Sequence, residues 1–160
     1  MTLRTPTTLV LLALLSFSTA CRRAELSGPP ELRVGRDQCA ECGMLISEDR
    51  CSAAVLYERD RERLHAIFDD IGCLLDWRRA THDPPQRVLE TYLRDYDARA
   101  WIHANTASIL RADRDRLHTP MGSGIVAFAH AADAEARRDE FGGDLTSYAA
   151  LLSPLTPPAH

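Results

Sequence analysis

The sequence predicts an α+β protein made of two small β-β-α-β modules packed together. Each half has two short stretches of alternating apolar and polar residues, then a helical stretch, then another alternating stretch. The halves also match weakly, because Met44 and Met121 each neighbour a glycine and precede a phenylalanine by 24 and 20 residues. Units of this size bury little core alone, so we expect the two modules to pack on one another.

The first module, residues 37–100, is predicted to contain two strands, a helix and a third strand. The strands are "CSAAVLYE" and "RLHAIF", joined by the turn "RDRE". Asp69 and Asp70 follow, and their carboxylates can accept the free N–H groups at a helix N-terminus. The helix is expected to end before "HDPP", and "RVLETYLRDY" is predicted as the third strand.

The second module, residues 101–152, repeats this order more loosely. "ASILRA" and "GIVAFAHA" are predicted as strands, and a helix is predicted from Asp133 to Phe141. The pair Gly142 and Gly143 is typical of a helix end. "LTSYAALL" is predicted as the last strand, and residues 153–160 as a frayed tail.

Residues 1–20 are predicted to be a signal peptide. A charged start precedes twelve mostly apolar residues, a run too short to cross a bilayer, and small residues lead into Cys21. This pattern resembles a bacterial lipoprotein signal, in which the chain is cut before a cysteine that then carries lipid. A plain secretion signal and an uncleaved anchor are the alternatives. Residues 21–36 are then a lipid-anchored linker, and we expect a periplasmic protein held on the outer membrane through Cys21.

The charge of the chain argues against a nucleic-acid partner. Its formal net charge is −4 at pH 7, so it has no basic field to hold a phosphate backbone. The expected membrane contact is therefore through the N-terminal lipid.

The stretch "DQCAECGMLISED" contains a C-x-x-C pair that admits several interpretations. An exported chain can close a disulfide, either Cys39 to Cys42 or Cys51 to Cys73. Structural zinc needs four ligands, but the chain has no second C-x-x-C and no H-x-x-x-H. A catalytic dithiol favours a helix start directly after the pair, whereas "GMLI" favours a strand. These alternatives stay open on the residues alone.

A soft-metal site is a further interpretation, and it rests on methionine as well as cysteine. Cu(I) prefers polarizable sulfur ligands. Methionine is usually core filler, but Pro120, Gly122 and Gly124 place Met121 on a loop, where packing gives little reason for it. Met44 follows the C-x-x-C pair and a glycine.

The chain contains, in this order, the motifs "CxxCGM", "HAIFDDIGCLLDW", "AWIHANTASIL", "TPMGSGIVAF" and "EFGGDL". Together these motifs resemble the NosL family of copper-binding accessory lipoproteins associated with nitrous oxide reductase. The resemblance covers nearly all of Gln38 to Leu152. It implies a periplasmic Cu(I) chaperone and not an enzyme, with two β-β-α-β modules related in fold to organomercurial lyase. The implied partner is a copper enzyme or its assembly machinery, with the nitrous oxide reductase system as the expected recipient.

The resemblance also implies candidate ligands for Cu(I). Met121 in "PMG" is the strongest candidate, because it matches the family motif directly. His103 stands where an acidic residue is common in the family, and a nitrogen ligand could replace it there. His118 is within loop reach of Met121. The full candidate set is Met121, Cys39, Cys42, Met44, His103 and His118.

Two other functions compete with the chaperone. One is an exported thiol enzyme, an oxidoreductase or a lyase, that uses Cys39 and Cys42. The other is a structural lipoprotein closed by disulfides.

Overall fold

The computed structural model describes residues 25–80 and 85–153, which form two antiparallel sheets and three helices. The predicted signal peptide, Cys21 and the end of the predicted tail lie outside the described residues. No helix in the described ranges has the length and apolar content needed to cross a bilayer.

The first sheet has four strands, and a helix packs on one of its faces. Its strands are β1 (Ala53–Arg59), β2 (Glu62–Phe68), β3 (Arg87–Arg94) and β4 (Trp101–His103), in the order β2-β1-β3-β4. Helix α1 (Ile71–Arg79) packs on one face of this sheet through Trp77. The Trp77 ring lies 5.5 Å from the rings of both Tyr57 and Phe68.

The second sheet repeats the first on a smaller scale. It consists of β5 (Ser108–Arg111), β6 (Ile125–Phe128) and β7 (Asp144–Thr146), in the order β6-β5-β7. Helix α2 (Ala131–Phe141) lies between β6 and β7 in sequence, and α3 (Tyr148–Leu152) follows β7. The orders β1-β2-α1-β3 and β5-β6-α2-β7 confirm the predicted α+β class. Kinship with organomercurial lyase stays a prediction.

The larger of two buried apolar clusters in the described part of the chain contains residues from both sheets. Ile109 and Ile125 of the second sheet belong to the same buried cluster as Phe68 of the first sheet and Leu74 of α1. The buried carboxylate of Asp95, just after β3, also accepts a hydrogen bond of 2.6 Å from the backbone N–H of Ala129, just after β6. Each unit therefore completes the other, as small modules require.

Two details of the second half differ from the sequence prediction. The predicted strand "LTSYAALL" is wrong beyond Thr146, because α3 begins at Tyr148. The hydroxyl of Ser147 accepts a hydrogen bond of 3.3 Å from the N–H of Ala150, so it caps the helix, and alanine and leucine then favour helix over strand. Strand β4 lies after the predicted module boundary but pairs with β3 of the first sheet.

The segment 25–30, here called the strap, crosses the face of the first sheet opposite α1. The carbonyl oxygen of Gly28 lies 2.8 Å from Nε2 of His65 on the edge strand β2. The carbonyl oxygen of Pro30 accepts a hydrogen bond of 2.9 Å from the indole N–H of Trp101 on the other edge strand, β4. This part of the predicted linker is therefore packed against the sheet.

Candidate metal centre

Three cysteine side chains meet at one end of the first sheet. The Sγ atoms of Cys39, Cys42 and Cys73 all lie within 4.8 Å of one another. Cys39 and Cys73 are buried and Cys42 is exposed, and all three are free thiols. Three sulfur atoms at this spacing suit a soft metal ion better than a hard cation, which prefers oxygen. We call this group the thiol cluster.

A tight turn positions the first two thiols. The N–H of Gly43 donates to the carbonyl of Cys39, and the N–H of Cys39 donates to the carbonyl of Met44, each at 2.8 Å. Gly43 has a φ of 73°, in the left-handed region that glycine adopts without steric cost. The N–H of Ala40 donates to the carbonyl of Ile67 at 2.8 Å, so the turn is attached to the end of β2.

The third thiol comes from α1, and the sequence prediction did not include it among the ligands. Cys73 is the third residue of this helix, and the Asp70 side chain caps the helix by accepting a hydrogen bond of 2.6 Å from the Gly72 N–H. The prediction that Asp70 is a capping residue is confirmed, whereas Asp69, predicted with it, accepts hydrogen bonds from Ser47 instead. The available signal was a cysteine in the first turn of a helix that directly follows an aspartate cap.

A loop of the second module brings Met121 to the same place. The Asp70 carboxylate also accepts hydrogen bonds from the Thr119 hydroxyl at 2.6 Å and from the Met121 N–H at 3.1 Å. Met121 is 42 % exposed and lines a cleft of about 390 Å³ together with Cys42 and Cys73. The two halves of the chain therefore meet at this cleft.

Asp69 binds the segment that follows the turn with Cys39 and Cys42, as Asp70 binds the loop with Met121. Its buried carboxylate accepts hydrogen bonds from the N–H of Ser47 at 2.9 Å and from its hydroxyl at 3.2 Å. Ser47 lies just after the turn that carries Cys39 and Cys42. Two adjacent aspartates thus bind two different loops. Asp69 binds the loop that carries Cys39 and Cys42, and Asp70 binds the loop that carries Met121, here called the methionine loop.

The other sequence-predicted ligands lie elsewhere. Met44 is 57 % exposed and is not among the residues that line the cleft. His103 is exposed on β4, where its ring lies 4.8 Å from that of Tyr92 and lines a separate cleft. His118 is exposed and does not line the sulfur-bearing cleft. Of the predicted set, the structure brings Cys39 and Cys42 together with Cys73, and Met121 lines the cleft that Cys42 and Cys73 also line.

The thiols of the cluster differ in acidity. Burial alone would raise the pKa of Cys39, but hydrogen bonds from the N–H groups of Cys42, Asp69 and Glu41 outweigh it, and the pKa lies below its ordinary value. The pKa of Cys73 is raised by burial and by the neighbouring Cys39 sulfur. A metal binds the thiolate, so we expect Cys39 to supply the first thiolate and metal binding to displace the proton of Cys73.

Cys51 is separate from the thiol cluster. It lies in a different buried group with Leu110 and Phe128, and its Sγ donates to a Glu48 carboxylate oxygen at 3.3 Å. Burial raises its pKa. Cys51 and Cys73 are both free thiols, in place of the disulfide that was one alternative.

Gly72 allows the methionine loop to approach α1. A Cβ at this position would lie 2.7 Å from the Cβ of Ser123 and 3.1 Å from Oδ1 of Asp70. Alanine is better than glycine in a free helix by about 1 kcal/mol. Because the loop would have to move, we instead expect Gly72→Ala to lower the free energy of unfolding by about 1–3 kcal/mol, measured by urea denaturation.

A second substitution checks the cause of this loss. Ser123→Gly removes the atom that the new Cβ meets, so the two changes together should cost less than the sum of their separate costs. Strictly additive costs, or a Gly72→Ala variant as stable as the wild type, would contradict the close contact.

Comparisons with known proteins agree with the fold and the motifs. The NosL family model matches residues 33–154. A solved structure, described as the crystal structure of the copper chaperone NosL from Shewanella denitrificans, matches with a TM-score of 0.60 and 23% sequence identity. The match covers 76% of this chain and 96% of that chain, and at this identity it shows a shared fold. No curated protein sequence matches the chain.

Proposed function

The chain belongs to the NosL family, and from this premise we propose that it is a chaperone that holds Cu(I) and passes it to a copper enzyme. The observation that carries the proposal is the thiol cluster, whose three Sγ atoms lie within 4.8 Å of one another beside a cleft that Met121 lines. Thiolate and thioether ligands suit Cu(I) because the ion and the sulfur atoms are all polarizable.

The arrangement also suits release of the metal. Cys39 and Cys73 are buried, although Cys73 also lines the cleft, whereas Cys42 and Met121 line it and are exposed. A ligand from a recipient protein can therefore bind the copper from the cleft side before the buried thiolates dissociate from it. Ligand exchange of this kind needs an accessible site with few ligands, and a closed four-ligand zinc site lacks that access.

The recipient and the location follow as parts of the same proposal. Family membership supports a recipient in the nitrous oxide reductase system. The N-terminal pattern supports export, lipid on Cys21 and a place on the periplasmic side of a bacterial membrane.

The competing functions have less support. Membership of the NosL family, rather than of an enzyme family, agrees with the prediction that no residue is catalytic. A lipoprotein closed by disulfides needs paired cysteines, and every cysteine in the described ranges is a free thiol.

A pair of methionine substitutions tests the site. Met121→Leu keeps the size of the side chain and removes the thioether, so we expect it to weaken Cu(I) binding about tenfold or more, the lower limit for loss of a group that supports a metal ligand. Met44→Leu is the control, because Met44 is exposed and does not line the cleft. The measurement is an anaerobic Cu(I) titration against a competing chelator.

The pair also separates the alternatives. Equal affinities in Met121→Leu and the wild type would remove Met121 from the site. A larger loss in Met44→Leu than in Met121→Leu would contradict the geometry of the cleft.

A further inference from the structure

Three arginines line the same cleft as the sulfur ligands. Arg79 forms an ion pair with Asp76, with 3.2 Å between guanidinium and carboxylate, and it also donates a hydrogen bond to the Leu151 carbonyl. Arg111 and Arg114 also line the cleft, and neither forms an ion pair within the described ranges. Two unpaired guanidinium groups therefore stand beside Cys42, Cys73 and Met121.

The backbone fixes the positions of Arg111 and Arg114 at the edge of this cleft, here called the rim. Arg111 is the last residue of β5, and Arg114 lies in the turn that follows, in which Asp113 accepts backbone hydrogen bonds from Arg116 and Leu117. A Cβ added to Gly124 would lie 3.2 Å from the Cγ of Arg114, so the aliphatic part of the Arg114 side chain packs against the methionine loop. Both side chains are exposed, which leaves their charged ends free to meet a partner.

Among the residues that line this cleft, positive charge exceeds negative charge, whereas Asp113, Asp115 and Asp144 line a neighbouring pocket together with the same two arginines. The chain carries a formal net charge of −4 at pH 7. At the cleft, Asp76 is paired with Arg79, which leaves Glu41 as the one unpaired carboxylate among the lining residues against two unpaired arginines. Guanidinium groups recognise carboxylates in a planar, two-point geometry and keep their charge at any physiological pH.

We propose that Arg111 and Arg114 dock an acidic segment of the copper recipient beside the sulfur ligands. The proposal rests on the proposed chaperone function and names the chemistry of its partner. Carboxylates bound at the rim would hold the recipient's own copper ligands next to Cys42 and Met121, where exchange begins. Charges at a rim act mainly by steering association, so the effect should depend strongly on salt.

The experiment uses two synthetic acceptor peptides with one methionine-rich Cu(I)-binding sequence. One peptide is flanked by aspartates and the other by asparagines, so only the charge differs. Copper-loaded protein is mixed with each peptide, and copper is counted in both after rapid separation. We expect transfer to the aspartate peptide to be faster by about tenfold at low ionic strength, and the difference to vanish in about 0.5 M salt, where screening acts over a few ångströms.

The variants assign the preference to the rim. Arg111→Gln combined with Arg114→Gln should abolish the preference for the aspartate peptide and leave Cu(I) affinity unchanged. The control is Arg61→Gln. Arg61 is exposed in the turn between β1 and β2, whereas the cysteine turn binds Ile67 at the opposite end of β2. This control should keep the full preference.

Two results would overturn the docking surface. One is a double variant that keeps the preference. The other is a double variant that binds Cu(I) more weakly and slows transfer to both peptides equally, because the arginines would then serve the copper centre itself.

Binding of the same peptides to the metal-free protein, measured by fluorescence anisotropy, separates this proposal from the chaperone function. A preference for the aspartate peptide that depends on both arginines supports the docking surface even if Cu(I) binds weakly. Absence of that preference overturns the docking surface even if Cu(I) binds tightly.

Discussion

Replacing Cys73 with serine is expected to weaken Cu(I) binding by about 100-fold or more, since even groups that only support a metal ligand contribute 10- to 100-fold. Serine has nearly the size of cysteine, so the buried site in α1 stays filled while a soft sulfur ligand becomes a hard oxygen. The Sγ of Cys73 lies within 4.8 Å of those of both Cys39 and Cys42, so its loss leaves two thiols. A Cu(I) titration of the folded variant measures the effect.

The matched control is Cys51→Ser. Cys51 is also buried and free but belongs to another hydrophobic group, so its replacement can change stability while the Cu(I) affinity of the folded protein stays near that of the wild type. Equal affinities in Cys73→Ser and Cys51→Ser would exclude Cys73 as a ligand.

The dependence of affinity on pH gives a second readout for the same pair. Burial and the Cys39 sulfur raise the pKa of Cys73, so at neutral pH copper must displace its proton. Affinity should therefore rise with pH in the wild type, by about one logarithmic unit per pH unit for each proton displaced. Cys73→Ser should have a shallower slope, and Cys51→Ser the slope of the wild type.

Replacing Asp70 with asparagine is expected to lower the free energy of unfolding by about 1.5–3 kcal/mol, the range for hydrogen bonds to a charged group. Asparagine caps helices about as well as aspartate, so its oxygen can keep the bond from Gly72. Its amide group would then face the Thr119 hydroxyl and the Met121 N–H, which both donate to Asp70 in the wild type. The cost therefore falls on the methionine loop.

Asp76→Asn is the control on the same helix. Asp76 is exposed and pairs with Arg79 at the surface, where such a pair contributes about 0.2–1 kcal/mol. Urea denaturation compares the stabilities, and Cu(I) titration at low temperature compares the folded proteins. An Asp70→Asn variant with both the stability and the Cu(I) affinity of Asp76→Asn would show that Asp70 does not position Met121.

The α+β order was predictable because it is local in the sequence. Alternating strands, an aspartate cap before α1 and the glycine pair after α2 each act within a few residues, and the structure contains them. The short helix α3 was missed because five residues carry too little periodicity to compete with an alternating pattern. The cap at Ser147 was the usable signal.

The centre was predictable only in part because it is assembled by distant contacts. Cys39 and Cys42 form a visible motif, and glycine and proline mark Met121 as a loop residue. Cys73 looks like an ordinary buried helix residue, since free cysteine behaves as a small apolar side chain. The hydrogen bond of Ala40 to the end of β2 and those of Ser47 to Asp69 bring the cysteine turn to it, and these contacts join residues more than twenty positions apart.

With lipid on Cys21, as proposed, the strap would limit the distance between the folded residues and the membrane. Its first residue, Glu25, forms an ion pair of 3.1 Å with Arg63. The carbonyl oxygens of Gly28 and Pro30 are bound by the side chains of His65 and Trp101 on the sheet. The chain from the proposed lipid on Cys21 to Glu25 then spans at most about 14 Å when fully extended. That length is close to the radius of gyration of a folded unit of this size, also about 14 Å. A copper recipient would therefore have to approach a protein that lies against the bilayer.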